Sequence, residues 1–270
     1  MVFWQGVSRQ RSIFHQPTKF MFWNFRIFLL SVLFFAALRA TLIYSDYIFW
    51  IWLLFGLVLL FSTRRLAKRW FFAILPLLLS ASSVSLLFFI DSLNFIKVFV
   101  FLTAAVFYFC LLGSYRLSKY NKDQTAKGMY NTAAFSALFF FYAASYGWYL
   151  NEIRLPVWEL TVILMAIFAV ITFFISSLSF TVNQLSSHER WLYAFILALA
   201  LTQVVWIQSF WPFGYLTVGT VALIIYYVSW DIIRNYFSDK FSFKGVVFNL
   251  AFLFGSIAIL LVSSKWYPVV

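Results

Sequence analysis

Across 270 residues the chain is 64% apolar, 24% aromatic and only 10% charged, far from the roughly 45–50% apolar and 25% charged make-up of water-soluble domains. That balance excludes an ordinary soluble enzyme, and the continuously apolar or hydroxyl-bearing run from Phe71 to Ile90, with no in/out alternation, argues against a closed β-barrel. The formal charge of +12 does not point to nucleic acid, because the basic residues fall in connectors between apolar runs rather than on one contiguous surface.

Apolar runs of this length read as membrane spans, since a helix needs about 20 residues to cross about 30 Å of hydrocarbon. Residues 1–19 form a basic segment with Phe3, Trp4, Val7 and Phe14 interspersed, suited to lying along an interface. The first span is expected from Phe20 to Leu38 and the second from Ile48 to Ser62. Asn24 and Arg26 shorten the first and the second is brief, so a re-entrant pair is the alternative. Arg39 interrupts the small-residue region after Ala36 and Ala37, which makes the first span a retained anchor rather than a cleaved signal.

Spans three and four are expected over Trp70 to Ile90 and Phe95 to Leu112. Pro76 bends the third, and Ser80, Ser82, Ser83 and Ser85 supply hydroxyls to re-satisfy freed backbone groups. Cys110 in the fourth is the single cysteine, so an intrachain disulfide or thiolate metal site is impossible and core packing is its expected role. The remaining spans are Met129 to Leu150, Val157 to Phe180, Trp191 to Phe210, Tyr215 to Trp230 and Gly245 to Ser263, followed by a short tail over 264–270. The predicted fold is therefore all-α: one multi-pass bundle over 20–263 with about nine transmembrane helices.

The connectors assign an orientation. With the N-terminus in the cytoplasm, the inner side collects Arg9, Arg11, Lys19, Arg26, Arg64, Arg65, Lys68, Arg69, Arg116, Lys119, Lys122, Lys127, Arg190, Arg234, Lys240 and Lys244. Only Arg39, Lys97, Arg154 and Lys265 fall outside, a strong positive-inside bias that places the protein in a plasma (inner) membrane with its C-terminus outside. The basic connectors are also expected to attract anionic lipid. No connector exceeds about 20 residues, so function is expected within the membrane or at its faces.

A weak repeat relates the fifth and sixth spans to the seventh and eighth. Pro156, Leu160, Thr161, Val162 and Ala166 recur in order and spacing as Pro212, Leu216, Thr217, Val218 and Ala222, and Phe139 and Ala144 match Phe195 and Ala200. Parallel hairpin repeats of this kind are used by some transporters, and chance likeness between two apolar helix starts is the alternative.

Signatures of catalysis are missing: no phosphate loop, no glycine-rich dinucleotide fingerprint, no HExxH and no nucleophile elbow. No cofactor or metal is expected. His15 and His188 lie in inner connectors, so intramembrane haem has no obvious ligand. The weak acid–base candidates are Asp46, Asp91 and Glu159 at the outer side. Asp46, in the first outer loop, is similar in placement to the acidic catalytic residue of polyprenyl-phosphate glycosyltransferases. That likeness is confined to one residue, and this chain is short for the class and lacks its large outer loop.

Lys97, Asn131, Glu159 and Gln203 are candidates for a substrate path, because ionisable and amide groups inside spans are costly unless paired or used. The bland alternative is that Lys97 and Glu159 reach the interface while Asn131, Gln203 and Asn249 hydrogen-bond between helices. Aromatics such as Tyr44, Trp50, Trp148 and Trp211 gather at the outer boundary, where their rings are apolar and their polar tips wet. Three function classes follow: a carrier or flippase of lipid or a small hydrophobic solute, slightly preferred; an enzyme on a lipid-linked substrate at the outer face; and a non-catalytic subunit or assembly factor with a membrane-protein partner.

Overall fold

The computed structural model describes the backbone of residues 17–67, 71–120, 123–151, 157–182, 187–237 and 241–264, with side chains at 25–66, 72–120, 123–148, 162–180, 188–237 and 241–264. Among these residues there is no strand, and nine α-helices follow in order: α1 (Pro17–Ile43), α2 (Ile48–Ala67), α3 (Phe71–Leu87), α4 (Leu93–Lys119), α5 (Gln124–Asn151), α6 (Val157–Val182), α7 (Ser187–Gln208), α8 (Tyr215–Phe237) and α9 (Phe243–Ser263). A single 3-10 turn, Ser45–Tyr47, joins α1 to α2. Seven helices are long and apolar enough to cross a membrane: α1, α2, α4, α6, α7, α8 and α9.

The first two helices are each long and apolar enough to cross a membrane, with no need of the re-entrant alternative. Helix α1 runs unbroken through Asn24 and Arg26 to Ile43, because neither residue breaks helical geometry; each merely lowers hydropathy locally. Helix α4 also continues past the expected Leu112 to Lys119, carrying Arg116 and Lys119 in its last turn. Hydropathy marks the apolar stretch of a helix, whereas the hydrogen-bond ladder continues into the polar boundary until a capping or turn residue ends it.

The two helices below the length or hydropathy needed for a span on their own are interior ones. Helix α3 has 17 residues, with Pro76 inside it. Leu75, Leu79, Ser83 and Leu86 on it are buried. Helix α5 contacts α3, α4, α6 and α8, and its buried positions are mostly small: Ala126, Ala133, Ala134, Ala137, Ala143 and Ala144. Small side chains let neighbouring backbones approach, which is how helices associate in lipid, where apolar burial gives little drive. A Cβ added at Gly219 of α8 would sit 2.9 Å from Ala143 Cβ, and one at Gly113 of α4 would sit 3.1 Å from the Ala126 carbonyl.

The same core extends between α1, α2 and α4. Phe34 stacks on Phe107 at 4.2 Å and meets Phe55 at 5.6 Å. Trp52 Nε1 donates to Thr41 Oγ1 at 2.9 Å, so the α1–α2 hairpin is hydrogen-bonded as well as packed near the end its 3-10 turn closes.

Consecutive helices are joined by short connectors and touch one another, so they run alternately up and down. The described side chains Arg26, Arg64, Arg65, Arg116, Lys119, Lys127, Arg190, Arg234 and Lys244 thereby share one end, while Arg39 and Lys97 lie toward the other. Below these are the basic end and the opposite end. At the basic end Arg116 bridges to Asp123 at 2.7 Å across the α4–α5 connector. Asp123 Oδ1 accepts from the Ala126 N–H at 3.2 Å. That backbone bond, aided by the Arg116 charge and opposed by partial desolvation, holds the Asp123 carboxyl below its ordinary range.

Candidate functional site

The polar residues of the described spans were the first place to look for chemistry, and many of them are engaged with each other. Thr172, Ser176 and Ser179 lie at steps of four and three residues along α6, which puts them on one face. Ser179 Oγ donates to Asn131 Oδ1 of α5 at 2.9 Å. Ser176 Oγ donates to the Tyr226 hydroxyl of α8 at 3.3 Å, and Tyr142 of α5 shares a 2.9 Å bond with Thr172. All six side chains are buried, forming a seam that holds α5, α6 and α8 in register. Only Asn131 of this set was singled out from the sequence. The serines and threonine escaped notice because a hydroxyl in an apolar run signals nothing until its partner helix is known.

The other path candidates lie elsewhere. Gln203 on α7 is exposed, on the outward side of the bundle, and Lys97 is exposed in the early turns of α4. Glu159 lies in the first turn of α6, with its side chain outside the described residues; Glu152 and Arg154 lie outside them altogether. The hydroxyls of Ser80, Ser82, Ser83 and Ser85 donate to carbonyls of their own helix, three or four residues back. Those carbonyls all follow Pro76, whereas the carbonyl its missing N–H leaves without a helical donor is that of Phe72, four residues earlier, so these hydroxyls do not compensate the proline as the sequence led us to expect.

Of the acid–base candidates, Asp46 sits in the 3-10 turn between α1 and α2 and is exposed. Asp91 is exposed beside the turn after α3, where the Phe89 carbonyl accepts from the Tyr215 hydroxyl at 2.6 Å. The two carboxylates thus belong to the same end but to different helix groups. Among the described residues no set of three His, Cys, Asp or Glu is placed to hold a metal ion.

Two features were not legible beforehand. Gln208, the last residue of α7, is buried, and neither its Oε1 nor its Nε2 has a hydrogen-bond partner among the described residues. Tyr146 donates to the Gln208 and Trp211 carbonyls at 3.3 and 3.1 Å. Tyr146 also borders a small apolar cavity of about 20 Å³ with Ser145, Val205 and Ser209, which Gln208 does not line.

The larger feature is a groove of about 400 Å³ between α1 and α2 toward the basic end, where Arg26 and Arg65 stand among apolar side chains. Its size falls within the range of small-molecule sites, roughly 300–1,000 Å³. Both arginines are exposed. Hydropathy alone could not have found it, since the sequence reads Arg26 as a dip in the first span and as one of the inner basic residues, without placing it beside Arg65.

The chain matches no protein-family model, no curated protein and no solved structure.

Proposed function

We propose that this multi-pass membrane protein is a non-catalytic subunit or assembly factor. It sits in a plasma (inner) membrane with its basic end in the cytoplasm and holds another membrane protein against α9. One observation carries the reading. Helix α9 has no buried residue, and its exposed side includes Ala251, Gly255 and Ala258, at steps of four and three. A Cβ added at Gly255 would meet nothing within 4 Å. The exposed positions Phe95, Val98, Phe101 and Leu102 of α4, by contrast, carry bulky side chains. Small residues at that spacing permit close backbone approach by another helix.

Further support comes from α7, where Gln203 turns an amide outward, a group that a neighbouring helix can hydrogen-bond. Both α7 and α9 pack on α8. The α8–α9 pair is itself fixed by Asp231, whose Oδ2 accepts from Asn249 at 3.0 Å and from Asn235 at 2.8 Å. Lipid or solute carriage through the bundle has less support, because Asn131 and the Ser80 to Ser85 hydroxyls are already hydrogen-bonded within the protein.

The test is site-specific photocrosslinking in native membranes, with the probe at Ala258 and, as comparison, at Phe101. The expected outcome is a discrete adduct with another membrane protein from Ala258 alone, abolished by Gly255→Leu. Lipid adducts alone from both positions would overturn the reading.

A further inference from the structure

We infer that helices α6 and α7 swing as one body against the rest of the bundle, hinged on the hydroxyl seam in their basic half and latched at the opposite end by the Tyr146 hydroxyl. The inference does not depend on what α9 binds.

The two helices are built to move together. They lie closely against each other, with Phe173 of α6 meeting Trp191 and Phe195 of α7 at ring-centroid distances of 5.1 and 6.5 Å. On the rest of the bundle they pack lightly, α6 on α5 and α7 on α8. Helices α5 and α8, by contrast, pack closely on one another, with Gly219 seated against Ala143. Closely packed helices move as a rigid body, and a lightly packed boundary between two such bodies is where hinge and shear motions occur.

The bonds across that boundary are unevenly placed. Helix α6 ends at the basic side, and Thr172, Ser176 and Ser179, which bond to Tyr142, Tyr226 and Asn131, all lie in the half nearer that end. From Val162 to Ile171, toward the opposite end, every residue of α6 is apolar, so no side chain there can hydrogen-bond to another helix. Phe168 instead rests on the rings of Phe141 and Tyr142 at 5.0 and 5.1 Å. Farther out, Leu164, Met165 and Val205 border the small apolar cavity against Ser145 and Tyr146. Ring contacts and a packing gap impose no fixed register, whereas the seam does, so the seam is the hinge and the opposite half is the part that opens.

Tyr146 is the latch. Its hydroxyl donates to the Gln208 and Trp211 carbonyls at 3.3 and 3.1 Å, long for bonds of a kind that usually span about 2.7–2.8 Å. When it lets go, the Gln208 carbonyl still accepts from the Trp211 N–H at 3.0 Å, so release leaves that acceptor paired. The same movement relieves the Gln208 side chain, which is buried with neither amide atom partnered among the described residues. Gln208 is the last residue of α7, and displacement of that end carries its amide to the membrane boundary, where water pairs it. One weak latch is thus set against one buried amide, a near-balance that a small bias shifts.

The test is pulsed electron–electron distance measurement on the full-length protein in lipid nanodiscs, with spin labels at two pairs of exposed positions. Ser92→Cys with Ile207→Cys reports the latched end, and Thr125→Cys with His188→Cys reports the basic end. Native Cys110 is buried and stays unlabelled. The expected result is two populations at the latched end and one at the basic end. Tyr146→Phe should raise the ratio of the longer to the shorter population about fivefold, the effect of one net hydrogen bond. Gln208→Leu, which removes the amide that opening would relieve, should lower that ratio by a similar factor. The basic-end distance should not change in either variant. A single latched-end population that neither variant moves would overturn the proposal. So would a shift in the same direction for both variants, or a basic-end distribution that broadens together with the latched end, which is the mark of a bundle loosened as a whole.

Discussion

Two glutamines five residues apart on α7 show what one residue's surroundings decide. Successive helical residues are separated by about 100°, so Gln203 and Gln208 face directions roughly 140° apart, and the structure turns the first outward and buries the second. The buried amide lacks any hydrogen-bond partner among the described residues. Removing an unpaired buried polar group while keeping its volume relieves a desolvation penalty of about 1–3 kcal/mol. Gln208→Leu is therefore expected to raise thermal stability in detergent, by about 1 kcal/mol once imperfect packing of the branched chain is included. Lower stability would mean that the amide is hydrogen-bonded in the folded protein and would overturn this reading. The sequence offered no means of ranking the two residues, since α7 is apolar on both sides. It drew notice to Gln203 and passed over Gln208 at the end of the run.

At the scale of helices, close approach decides more than hydropathy. Gly219 lets α8 settle against Ala143 of α5, where an added Cβ would lie 3.0 Å from the Ala143 nitrogen as well as 2.9 Å from its Cβ. Backbone cannot yield as a flexible side chain can, so Gly219→Val should separate the helices and cost about 1–3 kcal/mol. The same change at Gly255, where the space is open, should move stability by less than about 0.5 kcal/mol. Equal effects at the two glycines in an unfolding titration would refute this account of the α5–α8 contact. Helix existence was legible throughout because an apolar run of about 20 residues admits few other structures in lipid. The lengths of α1 and α4 were not, since Asn24, Arg26 and the stretch from Gly113 to Lys119 lower hydropathy without breaking a helix. Nor was the central place of α5. Polar positions such as Lys127, Asn131, Ser136 and Ser145 lower its hydropathy below that of the perimeter helices, and the smallness of its buried alanines is what lets it touch four neighbours.

For the whole molecule, α6 lies closely against α7 as α8 does against α5, while α5–α6 and α7–α8 make lighter contacts. Four successive antiparallel helices closing into a ring give that pattern with or without the repeat read from Pro156 and Pro212, so packing leaves the repeat untested. The environments differ, with Ala144 buried and its counterpart Ala200 exposed, because α3 and α4 cover the first hairpin only. Orientation is a property on which the proposed function depends, and it is open to direct measurement. The native Cys110 is buried and so contributes little background to thiol labelling. Ser92→Cys at the opposite end and Lys119→Cys at the basic end replace exposed residues. The positive-inside bias predicts that a membrane-impermeant maleimide labels Ser92→Cys on intact cells and Lys119→Cys only after permeabilisation. The reverse pattern, or labelling of both from outside, would contradict the assignment. The expected pattern places Arg26 and Arg65 in the leaflet where anionic lipid and a negative surface potential are found.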